Sequence, residues 1–245
     1  MPLAILMFSG YESPVIFLAT LASLFVTAAG ADEADIKKAM EAKLGTKVES
    51  VTKSGYLGLY EIYADGNILY TDDKMTAFIA GGQLIEGKTM KNVTEERMRK
   101  LTAIKFTELP LDRAIKQVRG DGKRVMATFE DPNCGYCKRL AKDLLKLENV
   151  TVYTFLYPIL SEDSIKKSKQ IWCSADRAKA WNDWMVEGRA PAGKEDCDTS
   201  AITKNQEFGR RLSISGTPTM FFADGERVPG AMPLPKIEQK LSQLK

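Results

Sequence analysis

The spacing of hydrophobic positions first predicts a small α+β unit. Ile36, Met40 and Leu44 recur at helical spacing, and Gly45 stands where a helix commonly ends. The next stretch is rich in β-branched and aromatic residues, with an Asp-Gly hairpin signal at 65–66. The pattern predicts strands over 48–51, 57–63, 67–70, 75–79 and 83–86. A unit of about sixty residues buries little surface by itself, so we expect it to pair with a second copy.

A charged helix follows this unit. Asn92 and Glu95 have the spacing of a helix-capping box, and Met98, Leu101 and Ile104 continue along one face. The remaining positions are dense in charge. This composition fits a connector between two folded units, and it fits an ordinary surface helix of either unit equally well.

The second half of the chain alternates between strand and helix patterns. Leu111, Ile115 and Val118 form a helical stripe that Gly120 closes. Strands are predicted over 125–129, 150–157, 219–223 and 226–228, and helices over 136–147, 206–212 and 234–244, with residues 161 to about 204 mostly helical. After the opening helix the order is βαβ, a helical insertion, α, then ββα, which indicates an α/β domain.

The segment before Asp32 differs from the rest of the chain. Glu12 is its only charged residue, and residues 15–29 are almost wholly apolar. This run is about fifteen residues long, which suits a signal peptide and falls short of the ~20 residues that span a membrane. Ala29-Gly30-Ala31 offers a cleavage site. No Lys or Arg precedes the run, so an uncleaved anchor and a cytoplasmic protein stay open as alternatives.

The net charge and the content of cysteine and histidine limit the kinds of reaction and partner that are expected. The chain has 245 residues and a formal net charge of +3, which gives no basic field of the kind that binds nucleic acid. It contains four cysteines and no histidine, so mechanisms that require a histidine base or ligand are excluded. An exported protein enters an oxidising compartment, where disulfide bonds are allowed.

The motif Cys134-Gly135-Tyr136-Cys137 places two thiols at a predicted strand-to-helix junction. Cys134 falls at the helix N-terminus, where free N–H groups and the helix dipole lower the thiol pKa and favour the nucleophilic thiolate. Cys137 lies one turn further on, less exposed and close enough to attack a mixed disulfide on Cys134. The alternatives are half of a zinc site, which lacks a second C-x-x-C or histidine pair, and a structural disulfide, whose two-residue loop is strained.

A proline at the start of a predicted strand is the second signal. Pro218, in Gly216-Thr217-Pro218-Thr219, cannot occupy an interior ladder position of a sheet. Alone, Thr-Pro is a loop feature. Combined with the cysteine motif and the order of elements around it, the signal is specific.

Three segments together resemble the periplasmic disulfide isomerases of the DsbC family: residues 131–137, residues 216–219 and the connector that begins at Asn92. The resemblance implies an α+β N-terminal dimerisation domain, a linker helix, and a C-terminal α/β thioredoxin fold with a helical insertion. We expect these at 32–91, 92–108 and 109–245, after a signal peptide at 1–31.

The resemblance also implies partners. It predicts a V-shaped homodimer whose uncharged cleft holds misfolded, disulfide-containing periplasmic proteins. It further implies an inner-membrane reductase of the DsbD type that keeps the motif reduced. Nucleic acid is not an expected partner, and neither a cofactor nor a metal is implied.

Roles for single residues follow from the same resemblance. Cys134 corresponds to the attacking cysteine and Cys137 to the resolving one. The expected substrate-binding residues are Gly135, Tyr136, Thr217 and Pro218, with a cis peptide bond before Pro218.

The other two cysteines are Cys173 and Cys197. We expect them to form a structural disulfide across the helical insertion, since the cysteine count is even and Cys134 and Cys137 are assigned to each other. Two reduced, separately buried thiols are the alternative.

One position differs from thioredoxin, which carries a buried acid six residues before its first cysteine. Thr128 occupies that position here, and the nearest acids are Glu130 and Asp131. Either acid could relay a proton to Cys137, or both could be solvated charges at the end of a strand.

These residues predict an enzyme, a thiol:disulfide interchange protein that isomerises and reduces non-native disulfides in exported proteins. A dedicated thiol oxidase and a holdase chaperone are the alternatives. Trp172, Trp181 and Trp184 could line a chaperone cleft, although their helical spacing favours the core.

Overall fold

The computed structural model describes residues 32–244, so the signal peptide predicted at 1–31 lies outside the described residues. The first helix, α1, spans Glu33–Leu44. The Asp32 side chain accepts a hydrogen bond from Ala34 N–H at its start, and Gly45 ends it in a left-handed conformation with φ 65°. The helix predicted from the spacing of Ile36, Met40 and Leu44, with its end at Gly45, is confirmed.

The first sheet is antiparallel and contains four strands in the order β1-β2-β3-β4. They span Val48–Lys53, Tyr60–Ala64, Asn67–Thr71 and Phe78–Ala80. Asp65 and Gly66 both have positive φ and form the two-residue hairpin between β2 and β3. Ile36 and Met40 of α1 pack on Val48 and Ile62, which buries one face of the sheet.

The fifth strand predicted in this unit, at 83–86, is wrong. Ile85 makes one isolated bridge to Asn92. Glu86 N–H donates to the Lys91 carbonyl, and Val93 N–H donates to the Leu84 carbonyl. The segment satisfies its backbone within its own turn, which leaves β4 as the last strand of the sheet.

The connector helix, α2, spans Val93–Thr102 and is capped by the Asn92 side chain, as predicted. Its beginning packs on the first sheet. Arg97 makes a bidentate contact with the buried Glu61 carboxylate, and the Tyr70 hydroxyl lies 2.7 Å from the Thr94 hydroxyl. These contacts tie α2 to the N-terminal unit along its first two turns.

The second sheet has five strands in the order β5-β7-β6-β8-β9. They span Ile115–Arg119, Arg124–Glu130, Val150–Leu156, Thr219–Phe222 and Arg227–Pro229 in chain order. β6 and β7 are parallel neighbours, and the other pairs are antiparallel. Short 3₁₀ turns at Phe106–Glu108 and Leu111–Arg113 lead into this sheet.

The helix predicted over 111–120 is wrong, because most of this segment is strand β5. Ile115 and Val118 are β-branched, which lowers helix propensity and suits a strand. The decisive interaction is not local. β5 pairs along the edge of β7, from Ile115 opposite Thr154 to Arg119 opposite Val150, and so satisfies backbone groups of β7 that would otherwise lack partners.

Five helices complete the second unit. They are α3 at Gly135–Leu144, α4 at Glu162–Trp172, α5 at Arg177–Met185, α6 at Ser200–Arg211 and α7 at Leu234–Gln243. The predicted helical insertion is therefore interrupted, and the short helix predicted at 206–212 is the second half of α6. Within residues 32–244, no helix is both long and apolar enough to cross a membrane.

The second sheet is covered on both faces. On one face, Met126 of β6 packs with Leu140 of α3 and Ile237 of α7. On the other face, Phe129 of β6 packs on Phe208 of α6, with ring centroids 6.3 Å apart. This alternation places the even-numbered residues of β6 under α3, which carries the cysteine motif.

Candidate functional site

Cys134 is the N-cap residue of α3, and Cys137 lies in its first turn. The Cys137 N–H donates to Cys134 Sγ at 3.2 Å. Both cysteines are free thiols, with 6% of Cys134 and 0% of Cys137 exposed. Both thiols are therefore buried, and only Cys134 keeps a small accessible area.

The two thiols differ in acidity. Hydrogen bonds from the Cys137 thiol, and from backbone N–H groups of the first turn, lower the pKa of Cys134 to about 5. Burial raises the pKa of Cys137 far above its ordinary value, and the hydrogen bond to Cys134 and the charge of Glu130 add to this. These opposite shifts favour the thiolate form of Cys134 and the protonated form of Cys137 at neutral pH.

Pro218 lies beside this pair. The Thr217–Pro218 peptide bond is cis, so that prediction is confirmed. Cys134 Sγ lies 3.3 Å from the Thr217 carbonyl oxygen. The structure thus brings together two segments that are far apart in the sequence, and the Thr217 backbone borders the reactive sulfur.

Exposed apolar side chains lie near the cysteine motif. Gly135 and Tyr136 are exposed, with 63% of Tyr136 accessible. Ile159 and Leu160 are also exposed, and their loop is bonded to the motif through Asp131. Sequence reasoning missed Ile159 and Leu160, because an apolar pair after a strand gives no signal of its own.

Asp131 is buried, so its interpretation as a solvated charge is wrong. Its Oδ2 accepts hydrogen bonds from the N–H groups of Ile159 and Leu160, at 2.8 and 3.0 Å. Its Oδ1 accepts from Asn133 N–H at 2.7 Å and from the Ser164 hydroxyl at 2.8 Å. Four donors converge on one carboxylate, which fixes the loop before Cys134 against the loop before α4.

Glu130 is buried as well, and the same correction applies to it. Its Oε1 accepts a hydrogen bond from the Thr128 hydroxyl at 2.7 Å, whereas Oε2 has no partner among the described residues. Burial raises the pKa of Glu130 to about 8, against the opposing effect of the Thr128 hydrogen bond. The two adjacent acids therefore have different surroundings.

Cys173 and Cys197 are joined by a disulfide bond, with Cα atoms 5.5 Å apart. This bond connects the end of α4 to the segment before α6. The Trp172 indole N–H donates to the Asp198 carbonyl at 3.0 Å in the same region. The second cysteine pair is separate from the C-x-x-C motif.

The tryptophans lie mainly in the core, as their spacing predicts. Trp172 and Trp181 are 6% and 2% exposed. Trp184 is partly exposed and donates its indole N–H to the Pro132 carbonyl at 2.6 Å. The ammonium group of Lys138 lies 4.1 Å from the centre of the Trp184 ring, so this ring supports the motif loop from the side of α5.

Comparisons with known proteins agree with this geometry. Residues 111–245 match the sequence profile of a thioredoxin-like domain, and residues 27–95 match the N-terminal domain of disulfide bond isomerase proteins. A probable thiol:disulfide interchange protein DsbC of Bordetella pertussis is 50% identical over 197 residues, which cover 80% of this chain and 69% of that protein.

The chain belongs to the DsbC family.

Other DsbC relatives extend the match along the chain. The thiol:disulfide interchange protein DsbC of Escherichia coli K12 is 29% identical over 232 residues, covering 92% of this chain and 94% of that protein. The crystal structure of a disulfide interchange protein from Neisseria gonorrhoeae aligns with a TM-score of 0.53 and 42% identity, over 55% of this chain and 97% of that one.

Family membership settles the fold class and the general activity. The chain combines the N-terminal domain of the DsbC family with a thioredoxin fold that carries a helical insertion. It is a thiol:disulfide interchange enzyme.

Proposed function

We propose that this enzyme is a periplasmic disulfide isomerase and reductase that works through a reduced Cys134-Gly135-Tyr136-Cys137 motif. The observation that carries the proposal is the opposite character of the two thiols. Cys134 has a lowered pKa and borders an open surface, whereas Cys137 is buried and has a raised pKa.

The reaction begins when the Cys134 thiolate attacks a non-native disulfide. One substrate sulfur becomes bonded to Cys134, and the other leaves as a thiolate with the electron pair of the broken bond. In isomerisation, a substrate thiolate attacks the mixed disulfide, forms a new substrate disulfide and restores Cys134. In reduction, Cys137 attacks Cys134 Sγ and releases a reduced substrate.

Substrate binding uses the surface around the sulfur. Gly135, Tyr136, Thr217 and Pro218 border Cys134, and the Thr217 carbonyl is placed to accept a hydrogen bond from an extended polypeptide. Exposed apolar side chains at Tyr136, Ile159 and Leu160 favour a partly unfolded chain with hydrophobic residues near its cysteine.

A homodimer through the N-terminal domain completes the proposal. β4 is one of the two edge strands of the first sheet, and its Phe78 and Ile79 are 40% and 47% exposed. An edge strand with unpaired backbone groups and apolar side chains is suited to pairing with a second copy. Two such copies present two catalytic domains to one misfolded protein.

The dimer is tested by placing a charge on each of two edges. Ile79→Arg is expected to convert the dimer to a monomer in light scattering. The matched control is Val118→Arg, since Val118 is 54% exposed on edge strand β5 of the other sheet. A dimer that survives Ile79→Arg but dissociates with Val118→Arg would place the interface on the second sheet.

Two further assignments depend on location. Export to the periplasm rests on the leader-like residues 1–31, and the supply of electrons by an inner-membrane reductase of the DsbD type rests on the family resemblance.

The Cys173–Cys197 bond is assigned a structural role, because it closes a loop outside the motif.

Refolding of a protein with scrambled disulfides tests the proposed reaction. The reduced enzyme in catalytic amounts is expected to restore the native activity of the scrambled substrate. A dedicated oxidase would instead accelerate disulfide formation in a fully reduced substrate without rescuing the scrambled one. Suppression of aggregation that survives in Cys134→Ala would belong to a separate holdase activity.

A further inference from the structure

Glu130 is a buried carboxyl group beside the two reactive thiols. It lies at the end of β6, and its side chain is on the strand face that also carries Met126 and Thr128. Met126 packs against Leu140 of α3, so this face is the one that α3 covers. Cys137 is fully buried in the first turn of the same helix. The carboxyl is therefore enclosed between the strand and the cysteine motif.

The hydrogen bonding of this carboxyl is incomplete. The Thr128 hydroxyl donates to Oε1, and the Thr154 hydroxyl of β7 lies 3.3 Å from that of Thr128. Oε2 is buried without a partner among residues 32–244. A buried oxygen of this kind is costly unless it binds a proton or exchanges one with a neighbour. The titratable groups that face it are the thiols of Cys134 and Cys137, both on α3.

We propose that Glu130 exchanges a proton with Cys137 when the mixed disulfide on Cys134 is resolved. The Cys137 proton moves to the Glu130 carboxylate, and the new Cys137 thiolate attacks Cys134 Sγ. The bond between Cys134 and the substrate breaks, and the substrate sulfur leaves with its electron pair. When an external thiolate later reduces the Cys134–Cys137 disulfide, protonated Glu130 returns the proton to Cys137.

Electrostatics couples this proton transfer to the state of Cys134. Burial raises the pKa of Glu130 to about 8, and the charge of the Cys134 thiolate adds to this, so the protonated carboxyl is favoured in the resting enzyme. A mixed disulfide on Cys134 carries no charge. Its formation removes one cause of the raised pKa, so Glu130 ionises more readily at the step in which Cys137 must lose a proton.

Asp131, the adjacent acid, is the natural contrast. Its four hydrogen bonds come from the motif loop, the loop before α4 and Ser164 of α4, and both of its oxygens are occupied. Glu130 has one free oxygen and faces the thiols. The structure thus separates a carboxylate that positions the motif from one that can change its protonation state.

A two-step thiol assay on the full-length reduced protein tests the proposal, which rests on the assignment of Cys137 as the resolving cysteine. Dithio-bis-nitrobenzoate releases one coloured thiolate when Cys134 attacks it and a second when Cys137 resolves the mixed disulfide. Cys137→Ser checks the assignment by itself, because that variant is expected to lose the second release and keep the first.

In the wild type, the rate of the second release is expected to rise with pH and level off near the pKa of Glu130. In Glu130→Gln the plateau should disappear, and the second release should be at least ~10-fold slower near the plateau, at the low end of general-base effects. The first release is expected to change by less than about threefold, because the Gln side chain leaves Cys134 in place.

Asp131→Asn is the matched control, and it is expected to keep the plateau whatever its effect on absolute rates. The proposal is overturned if Glu130→Gln keeps both the rate and the plateau, or if Asp131→Asn removes the plateau. Infrared spectroscopy tests the same proposal on the wild type, without a variant. The band of a protonated carboxyl group should titrate near pH 8, well above the pH at which ordinary carboxyl groups titrate. A protein without such a band above about pH 6 contradicts the proposal.

Discussion

The two cysteine pairs of this chain occupy different physical settings in one domain. Cys134 and Cys137 are free thiols at the start of a helix. Cys173 and Cys197 are bonded to each other across a sequence separation of 24 residues. A helix N-terminus stabilises a thiolate and so favours the reduced motif, whereas a long loop between cysteines lets a disulfide restrict the unfolded chain. These different surroundings are the reason we assign a reactive role to the first pair and a structural role to the second.

The largest expected effect separates the members of the reactive pair. Cys134→Ser is expected to abolish both isomerase and reductase activity, because no nucleophile remains at the surface. Cys137→Ser should keep part of the isomerase activity and accumulate mixed disulfides, since substrate thiols can still complete the exchange. Trapped complexes on non-reducing gels measure this difference. Alkylation of the reduced protein that labels Cys137 faster than Cys134 near neutral pH would contradict the assignment.

The second prediction compares the removal of each cysteine pair. Replacing both Cys173 and Cys197 by Ala should lower the free energy of unfolding by up to ~3.5 kcal/mol, from the entropy of the loop they close. The exchange rate of Cys134 should stay the same. The mirror-image variant, with both Cys134 and Cys137 replaced by Ala, should lose exchange and keep most of its stability.

Thiol counting gives an independent check of the same contrast. Mild reduction of the oxidised, folded protein is expected to release two thiols, from Cys134 and Cys137. The simultaneous appearance of four thiols would mean that the Cys173–Cys197 bond is no more resistant than the motif.

The third prediction concerns the support of the reactive pair. In the wild type, four donors share the two carboxylate oxygens of Asp131, whereas Asp131→Asn leaves them a single acceptor oxygen. We therefore expect a loss of about 2–3 kcal/mol in the free energy of unfolding. Denaturant unfolding measures this loss. Asp121→Asn, at an exposed aspartate, is the control and should change stability by less than about 0.5 kcal/mol. Equal effects of the two substitutions would remove the positioning role of Asp131.

A fourth prediction is a pH dependence of stability that comes from Cys134 of the reactive pair. The pKa of Cys134 falls from its ordinary value of 9.0 to about 5 on folding, so the folded, reduced protein binds fewer protons than the unfolded chain between these values. Its stability relative to Cys134→Ser should therefore rise as pH increases from about 5 to about 9, and be lost again on acidification. Parallel stability curves for the two proteins would contradict the lowered pKa.

Much of this protein can be predicted from local sequence. The Asp65-Gly66 hairpin, the Asn92 cap and the C-x-x-C at the start of α3 depend on a few neighbouring residues, and each is present in the structure. Such features are encoded locally because turn geometry and helix capping are satisfied within about four residues of chain. The cysteine motif and the Thr217-Pro218 segment are likewise recognisable from the sequence.

Other features were decided by tertiary structure alone. The stripe at Leu111, Ile115 and Val118 fits a helix, but the unpaired edge of β7 made it a strand. The two acids before the motif look solvated in sequence, but the packing of α3 and the loop before α4 buried them with different partners. The spacing of residues in the sequence indicates which helix or strand a segment can form by itself. Which backbone groups and carboxylates lose their water depends on segments that meet only when the chain has folded.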